Sequence, residues 1–390
     1  MINKETELYC KDNTDESLQI RIAERAGEKR EIYRLRYEVY VEEMGKALGA
    51  IAKKRKQIYD PLDERSILIY VQAGSAIIAT MRLTIQAAED YPADLAEVFQ
   101  MHEFKTLHNR FSLFGLGTKL AVVPQYRSSP AFYLILAEAY RLLREQNASI
   151  CFTGGNPYLV PLYERVGFRQ FTRNFTDPGY GLLVPLVLLL EDTDHMKAVR
   201  SPLYRHARKY FNDLTTAQAF GKGFPEAGQV FNTQLVTAES LWEYVEDQLS
   251  RSPLAIPVFR HLDGKSAMEL LRAGAIFSCS PGDCIVYEGG VCNDFYLLLA
   301  GSLTSQSKPA ARLLRPGDHF GGLMLPGGSR QTEAVSAITG VELFVLPRQA
   351  FERYQHLYPE AAAVFVRNLK ETQNLDRTDS ITEQGGYNHE

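Results

Sequence analysis

The spacing of hydrophobic positions changes along this chain, and each change marks a boundary. In "EKREIYRLRYEVYVEE", Ile32, Leu35 and Val39 recur at helical spacing with charges between them, which predicts an amphipathic helix. "SILIYVQ" and "AIIATMRLTI" read as strands separated by Ala73-Gly74-Ser75, a hairpin signal. "FSLFGLGTKLAVV" is a further strand; a loop and the helix "PAFYLILAEAYRLLREQ" follow it. The strand "SICFTGG", the short helix "NPYLVPLYERVGF" and the strand "GLLVPLVLLL" come next. This order predicts an α+β unit over 18–190, a mixed, mostly antiparallel sheet with flanking helices.

Over 191–255 the pattern turns to aromatic helical pieces, "SPLYRHARKYFNDL" and "AESLWEYVEDQLS", broken by the Gly/Pro-rich "GKGFPEAGQ". We read this region as a helical connector that packs on one or both neighbours. Over 256–372 short apolar runs alternate with glycine turns, as in "GDCIVYEGG", "DFYLLLAGSL" and "VELFVLP", which predicts a β-roll. Residues before about Ser17 are polar and read as frayed, and 373–390 read as a disordered tail.

Composition changes this picture little. The 390 residues fit two domains better than one core. The formal net charge of −4 argues against general affinity for nucleic acid, and "KKRK" at Lys53–Lys56 reads as a solvated face. The longest apolar run, Leu182–Leu190, is far shorter than the ~20 residues of a membrane helix. An odd number of cysteines, no CxxC pair and no secretory pattern at the start predict free thiols, no metal centre and a cytoplasmic setting.

The loop in "VVPQYRSSPAFYLIL" is the first candidate site. Ser128 or Ser129 suits an N-cap and Pro130 the first helical position. Such a helix start offers unpaired N–H groups to an anion, and Arg127 adds bidentate donors. Taken alone, the loop is better read as a capped helix start with a surface arginine, since nearly all helices need caps.

With Asn156 and "LYERVGF" downstream, the strand–loop–helix resembles the GNAT acyltransferase superfamily. The resemblance implies that the strand ending near Val123 splays from its neighbour and that Val122 and Val123 pair with the pantetheine arm of an acyl-thioester donor. Gln125, Arg127, Ser128 and Ser129 would cradle the donor's phosphate, with Asn156 nearby. Tyr163 would protonate the leaving thiolate, a role that suits a phenol of reference pKa ~10; otherwise it is a core tyrosine. The family's loop carries glycines where Ser128 and Pro130 stand here, and proline cannot donate.

The N-terminal half resembles the acyl-homoserine lactone synthases and the related N-acyl amino acid synthases, through "LRYEVYVEEMGK", "YDPLDE" and "ATMRL". The resemblance implies an acceptor side built from Arg36, Tyr40, Asp60, Asp63 and Arg82, in which arginine holds a carboxylate and Asp60 or Asp63 serves the amine. The plainer alternative is an ion-pair network that stiffens the first helix against the sheet. The lactone synthases carry a glutamate where Leu116 stands, whereas Lys119 keeps the charge of their arginine. N-acylation of an amino acid or amine is therefore the better reading. The donor would be an acyl-phosphopantetheine group, on acyl carrier protein or CoA, with a long acyl chain. Asp60, Asp63 or a water would take the amine proton.

The segment 256–354 resembles the cyclic nucleotide-binding domains, with glycines 282, 289, 301 and 317 at the tight turns. Gly322 stands where the family's ribose-binding glutamate is expected, Gln331 in its arginine's position, and Arg330 one residue away. A one-residue shift on an extended segment reverses the side chain's face. The expectation is a module that does not hold an ordinary cyclic nucleotide and instead packs on the acyltransferase, mediates oligomerisation or binds another ligand. Two further readings stay open: a non-catalytic sensor or scaffold, and a cyclic-nucleotide-regulated lysine acetyltransferase.

Overall fold

The computed structural model of the chain describes residues 17–46, 48, 50–107, 111–228, 230–306, 311–322 and 330–382, with the side chains of 50, 51 and 373–382 excepted. The expected frayed start lies outside the described residues. The helix Pro359–Thr382 enters the expected tail, and 383–390 lie outside the described residues. The chain divides into two compact units, 1–156 with 162–230, and 157–161 with 231–390.

The first unit is built on β1 (Leu18–Ile22), β2 (Ile67–Ala73), β3 (Ala76–Gln86), β4 (Phe114–Val122), β5 (Ile150–Gly155), β6 (Arg169–Gln170), β7 (Phe175–Asp177) and β8 (Gly181–Leu189). Their order is β1-β2-β3-β4-β5-β8-β6, with β7 also paired to β8. Only β4 and β5 run parallel. The expected hairpin joins β2 to β3 with Ala73 opposite Ala76. The first helix, Ala26–Tyr37, buries Ile32 and Leu35, and the chain then widens into a π-helical turn, Glu38–Glu43, that buries Val39 and Tyr40.

The helix Ala131–Glu145 lies over the sheet because Phe132, Ile135, Leu136, Ala139, Tyr140 and Leu143 recur every three or four residues and are all buried. Pro130 is its N-cap, one residue outside the expected first turn. On an aromatic core, Phe104, Phe114, Phe152 and Phe171 meet Phe220 and Phe224, with the Phe104 and Phe224 centroids 4.5 Å apart. The first half of the expected connector is thus part of the first unit's core.

The second half joins the other core: Leu241, Val245 and Leu249 of helix Ala238–Leu249 pack with Phe259, Phe295, Phe344 and Phe365. The expected β-roll is present as two four-stranded antiparallel sheets. One contains β10 (Cys284–Val286), β15 (Ala334–Ala337), β12 (Leu303–Gln306) and β13 (Ala311–Leu314). The other contains β14 (His319–Gly321), β11 (Phe295–Ala300), β16 (Val341–Leu346) and β9 (Ala275–Cys279). Gly301 turns β11 into β12 at φ +86°, and a Cβ there would lie 2.3 Å from the Gly340 carbonyl oxygen, so only glycine fits.

Candidate functional site

Two irregularities in β4 organise the site. Its pairing with β3 jumps from Thr80–Ala121 to Arg82–Thr118, so Lys119 and Leu120 together face Met81. Lys119 adopts φ +54°, a left-handed conformation that costs roughly 1–2 kcal/mol in a non-glycine residue. Such a bulge re-aims a side chain. On the other edge, β4 pairs with β5 only at Phe114–Ile150, Gly115–Cys151 and Leu116–Phe152. Beyond these residues the pairing ends although both strands continue, which is the splay expected from the sequence.

The residues expected on the acceptor side converge on the bulge. Arg36 Nη1 donates to both oxygens of Asp63, at 2.9 and 3.0 Å, and neither side chain is exposed to solvent. Asp63 also accepts from the Asp60 N–H at 3.0 Å, and Asp60 from the Leu62 N–H at 2.9 Å, a reciprocal capping box at the start of the turn Pro61–Arg65. Arg82 donates from Nη1 to Asp60 and from Nε to Thr118 Oγ1, 2.9 Å away, with Asp63 at 3.7 Å. Lys119 Nζ sits 3.9 Å from Asp60. Arg36, Asp63, Asp60, Arg82 and Lys119 thus form one mostly buried network with three cations and two carboxylates.

Tyr180, in the turn between β7 and β8, closes this network and was not anticipated. Its hydroxyl accepts from Lys119 Nζ at 2.9 Å, and its ring lies 4.1 Å from the same nitrogen. Tyr40 meets it edge-on at 5.1 Å and donates its own hydroxyl to the Leu120 carbonyl at 2.6 Å. The turn is fixed by Asp177, which accepts from the N–H groups of Gly179 and Tyr180. The Tyr180 carbonyl accepts from Lys46 Nζ at 2.9 Å and Asn156 Nδ2 at 3.0 Å. Asn156 Nδ2 also reaches the Leu182 carbonyl, so this residue holds the turn to the end of β5. Burial pushes the Tyr180 phenol up and keeps it protonated. Burial likewise lowers Lys119 to about 8, with Asp60 pulling the other way and Arg82 reinforcing it.

The loop after β4 folds tightly on itself. The N–H groups of Tyr126, Arg127 and Ser129 donate to the carbonyls of Val123, Pro124 and Tyr126, and that of Ala131 to Ser129 Oγ. The Val123 N–H is donated to Ile78. Gln125 and Ser128 are exposed. Arg127 is already paired: both its terminal nitrogens donate to Glu43 at 2.6 Å, and its Nε to the Val122 carbonyl at 3.2 Å.

Tyr163, on helix Val160–Val166, is buried against Gly155; a Cβ at that glycine would lie 3.3 Å from the ring. Burial pushes its phenol up to about 12, against a hydrogen bond with Thr153 that favours the ionised form. Tyr163, Thr153, Gly117 and Leu120 line an apolar cavity of about 20 Å³ beneath the splay, together with Cys151 and Leu136. Burial raises the Cys151 thiol to about 12.

In the second unit, Gln331 is buried and donates from Nε2 to the Cys292 carbonyl at 3.1 Å, whereas Arg330 is exposed and donates to the Gly289 carbonyl at 2.6 Å. The Gly322 N–H donates to the Asp294 carbonyl. Residues 323–329 of the cassette lie outside the described residues.

The comparisons with known proteins divide the chain in the same way. Residues 31–191 match the family of the N-acyl amino acid synthase FeeM, and residues 262–356 the cyclic nucleotide-binding domain. The solved structure of FeeM, from uncultured soil microbes, is 13% identical, with 49% of this chain and 98% of that chain covered and a TM-score of 0.38. A cyclic nucleotide-binding domain from Methylobacillus flagellatus is 14% identical, with 37% and 83% covered and a TM-score of 0.33. The potassium/sodium hyperpolarization-activated cyclic nucleotide-gated channel 1 of Rattus norvegicus is 29% identical over 161 residues, 40% of this chain and 17% of the channel. The chain thus spans under a fifth of the length of that curated relative. The family matched over residues 31–191 is one of N-acyltransferases. The first domain is thus similar to the N-acyl amino acid synthase FeeM family, and the second to the cyclic nucleotide-binding domain. Among the described residues, no helix is long and apolar enough to cross a membrane.

Proposed function

We propose that this N-acyltransferase moves a long acyl chain from the phosphopantetheine of acyl carrier protein, or from CoA, to the amine of an amino acid. The observation that carries this reading is the buried network of Arg36, Asp60, Asp63, Arg82 and Lys119 on the β4 bulge, beside the splay from β5. Three cations against two carboxylates leave one positive charge, the complement of a single acceptor carboxylate. Arg82 and Lys119 keep some exposure and face the acceptor; Arg36 has none and positions Asp63.

The donor's arm lies along Val122 and Val123 in the splay. Its phosphate takes Ser128, Ser129, Gln125 and the start of helix Ala131–Glu145, while Arg127 turns from Glu43 toward it. So many of the loop's N–H groups are used within the loop that it suits one phosphate better than a nucleotide pyrophosphate. The acceptor's neutral amine attacks the thioester carbonyl, and a backbone N–H at Leu120–Val122 stabilises the oxyanion. The carbon–nitrogen bond forms, the carbon–sulfur bond breaks, and Tyr163 gives its proton to the thiolate. A phenol raised to about 12 is a weak acid, so it must regain a proton from the reacting nitrogen as it donates.

The test is direct: purified protein is offered acyl carrier protein or CoA thioesters of several chain lengths with each amino acid, and products are read by mass spectrometry. An N-acyl amino acid is expected. Failure of every donor and acceptor pair would remove this reading. We further propose that the β-roll holds no ordinary cyclic nucleotide, because Gly322 offers no carboxylate and the Gln331 amide is bonded to the Cys292 carbonyl.

A further inference from the structure

We infer that Lys119 Nζ is the group that takes the proton from the acceptor's ammonium, an assignment that rests on the function proposed above. The carboxylates of Asp60 and Asp63 are the obvious alternatives, and their surroundings argue against both. Asp63 is fully buried, bridged by Arg36 and bonded to the Asp60 N–H. Asp60 accepts from Arg82 and from the Leu62 N–H. Protonating either would break an ion pair and a helix cap together.

Lys119 has the opposite surroundings. The bulge directs it into the network from β4, and its nearest carboxylate, Asp60 at 3.9 Å, is already engaged by Arg82. It faces Asp60 from the capped turn, Arg82 from β3, Arg36 from the first helix, Asp177 from the end of β7, and Tyr180 from the following turn. Tyr180 is matched to both states of the amine: its hydroxyl accepts from the ammonium at 2.9 Å and can donate to the neutral form. Burial lowers Lys119 to about 8, so a neutral fraction exists near neutral pH.

Charge complementarity then selects the acceptor. With Lys119 neutral, Arg36 and Arg82 balance Asp60 and Asp63, and the network accepts a zwitterionic amino acid without excess charge. Transfer of one ammonium proton leaves a cationic Lys119 facing a substrate that is now a carboxylate anion. The second proton on nitrogen passes to Tyr163 as the amide forms, Tyr163 having protonated the thiolate. Lys119 then returns its proton to water. An acceptor lacking a carboxylate would leave the new charge on Lys119 unbalanced.

The experiment uses the full chain with an active acyl thioester and a saturating amino acid acceptor. Wild-type kcat should rise with pH through about 8 and level off. Lys119→Arg, which keeps the charge but cannot donate a lone pair, should lose the inflection and lower kcat by about 100-fold or more, with acceptor KM changed little. Lys119→Ala should be rescued by small primary amines in order of their basicity, an effect that a merely structural lysine would not give. The decarboxylated analogue of the amino acid should react far more slowly in the wild type. A Lys119→Arg enzyme that keeps both kcat and the inflection overturns the assignment, as does Lys119→Ala without amine rescue. A wild type that transfers nothing from any donor overturns the proposed function itself.

Discussion

Replacing Arg36 with methionine tests whether the buried network is as tightly interdependent as its geometry indicates. The substitution keeps much of the side-chain volume and removes the guanidinium nitrogen that bridges both oxygens of Asp63. Asp63 stays fully buried, with the Asp60 N–H at 3.0 Å and Arg82 Nη1 at 3.7 Å as its remaining partners. Stranding one member of a buried pair costs about 3–5 kcal/mol, and because Arg82 remains nearby we expect about 3. For a domain of this size that is roughly 6–12 °C in Tm. Arg36→Met/Asp63→Leu should recover part of the loss, because Arg36 Nε and Nη2 have no hydrogen-bond partner among the described residues and the pair is imperfectly satisfied, while the Asp60 N–H loses its acceptor. The assay is urea unfolding followed by circular dichroism, with fluorescence of Trp242, the single tryptophan, marking the second unit's transition. A single-variant loss below about 1 kcal/mol, or a double variant whose loss is the sum of the two singles, would refute this account.

Tyr163→Phe should lower kcat by about 10²–10⁴-fold, and single-turnover assays should show the deficit shrinking with thioesters whose thiols are more acidic. Glu164 is buried with one oxygen unbonded among the described residues, and burial raises it to about 8. Its folded value lies above the unfolded one, so the stability it supports is full below about 4.5 and falls as pH rises toward about 8. Glu164→Gln should remove that fall, about 1 kcal/mol per pH unit, and be the more stable protein at pH 8 in urea titrations. Calorimetry with cyclic AMP and cyclic GMP should give no micromolar binding; a micromolar isotherm with either would contradict the degenerate-module reading.

Much of the architecture was legible because it follows local periodicity. The β2–β3 hairpin, the helix Ala131–Glu145 and the β-roll's glycine turns are each specified by a few neighbouring residues. The set Arg36, Tyr40, Asp60, Asp63, Arg82 and Lys119 was also legible, though only through resemblance. What the sequence hid are pairings set by tertiary contact. Glu43 and Arg127 are 84 positions apart, and nothing local couples them. Tyr180 sits in "DPGYG", which reads as an ordinary turn; its position before a strand was the only signal. The bulge was invisible because Lys119 is a poor candidate for a left-handed conformation, which only the mismatch between β3 and β4 imposes.

The cavity beneath the splay also bears on how an enzyme that handles thioesters avoids becoming acylated itself. Cys151 lines that cavity with Tyr163, which the proposed function puts beside the donor thioester. An ionised thiol there would exchange with the donor and trap the acyl group on the protein. Because burial raises Cys151 to about 12, the thiolate is scarce at pH 7. On the proposed function, the apolar lining therefore keeps this one nucleophile silent beside the acyl group.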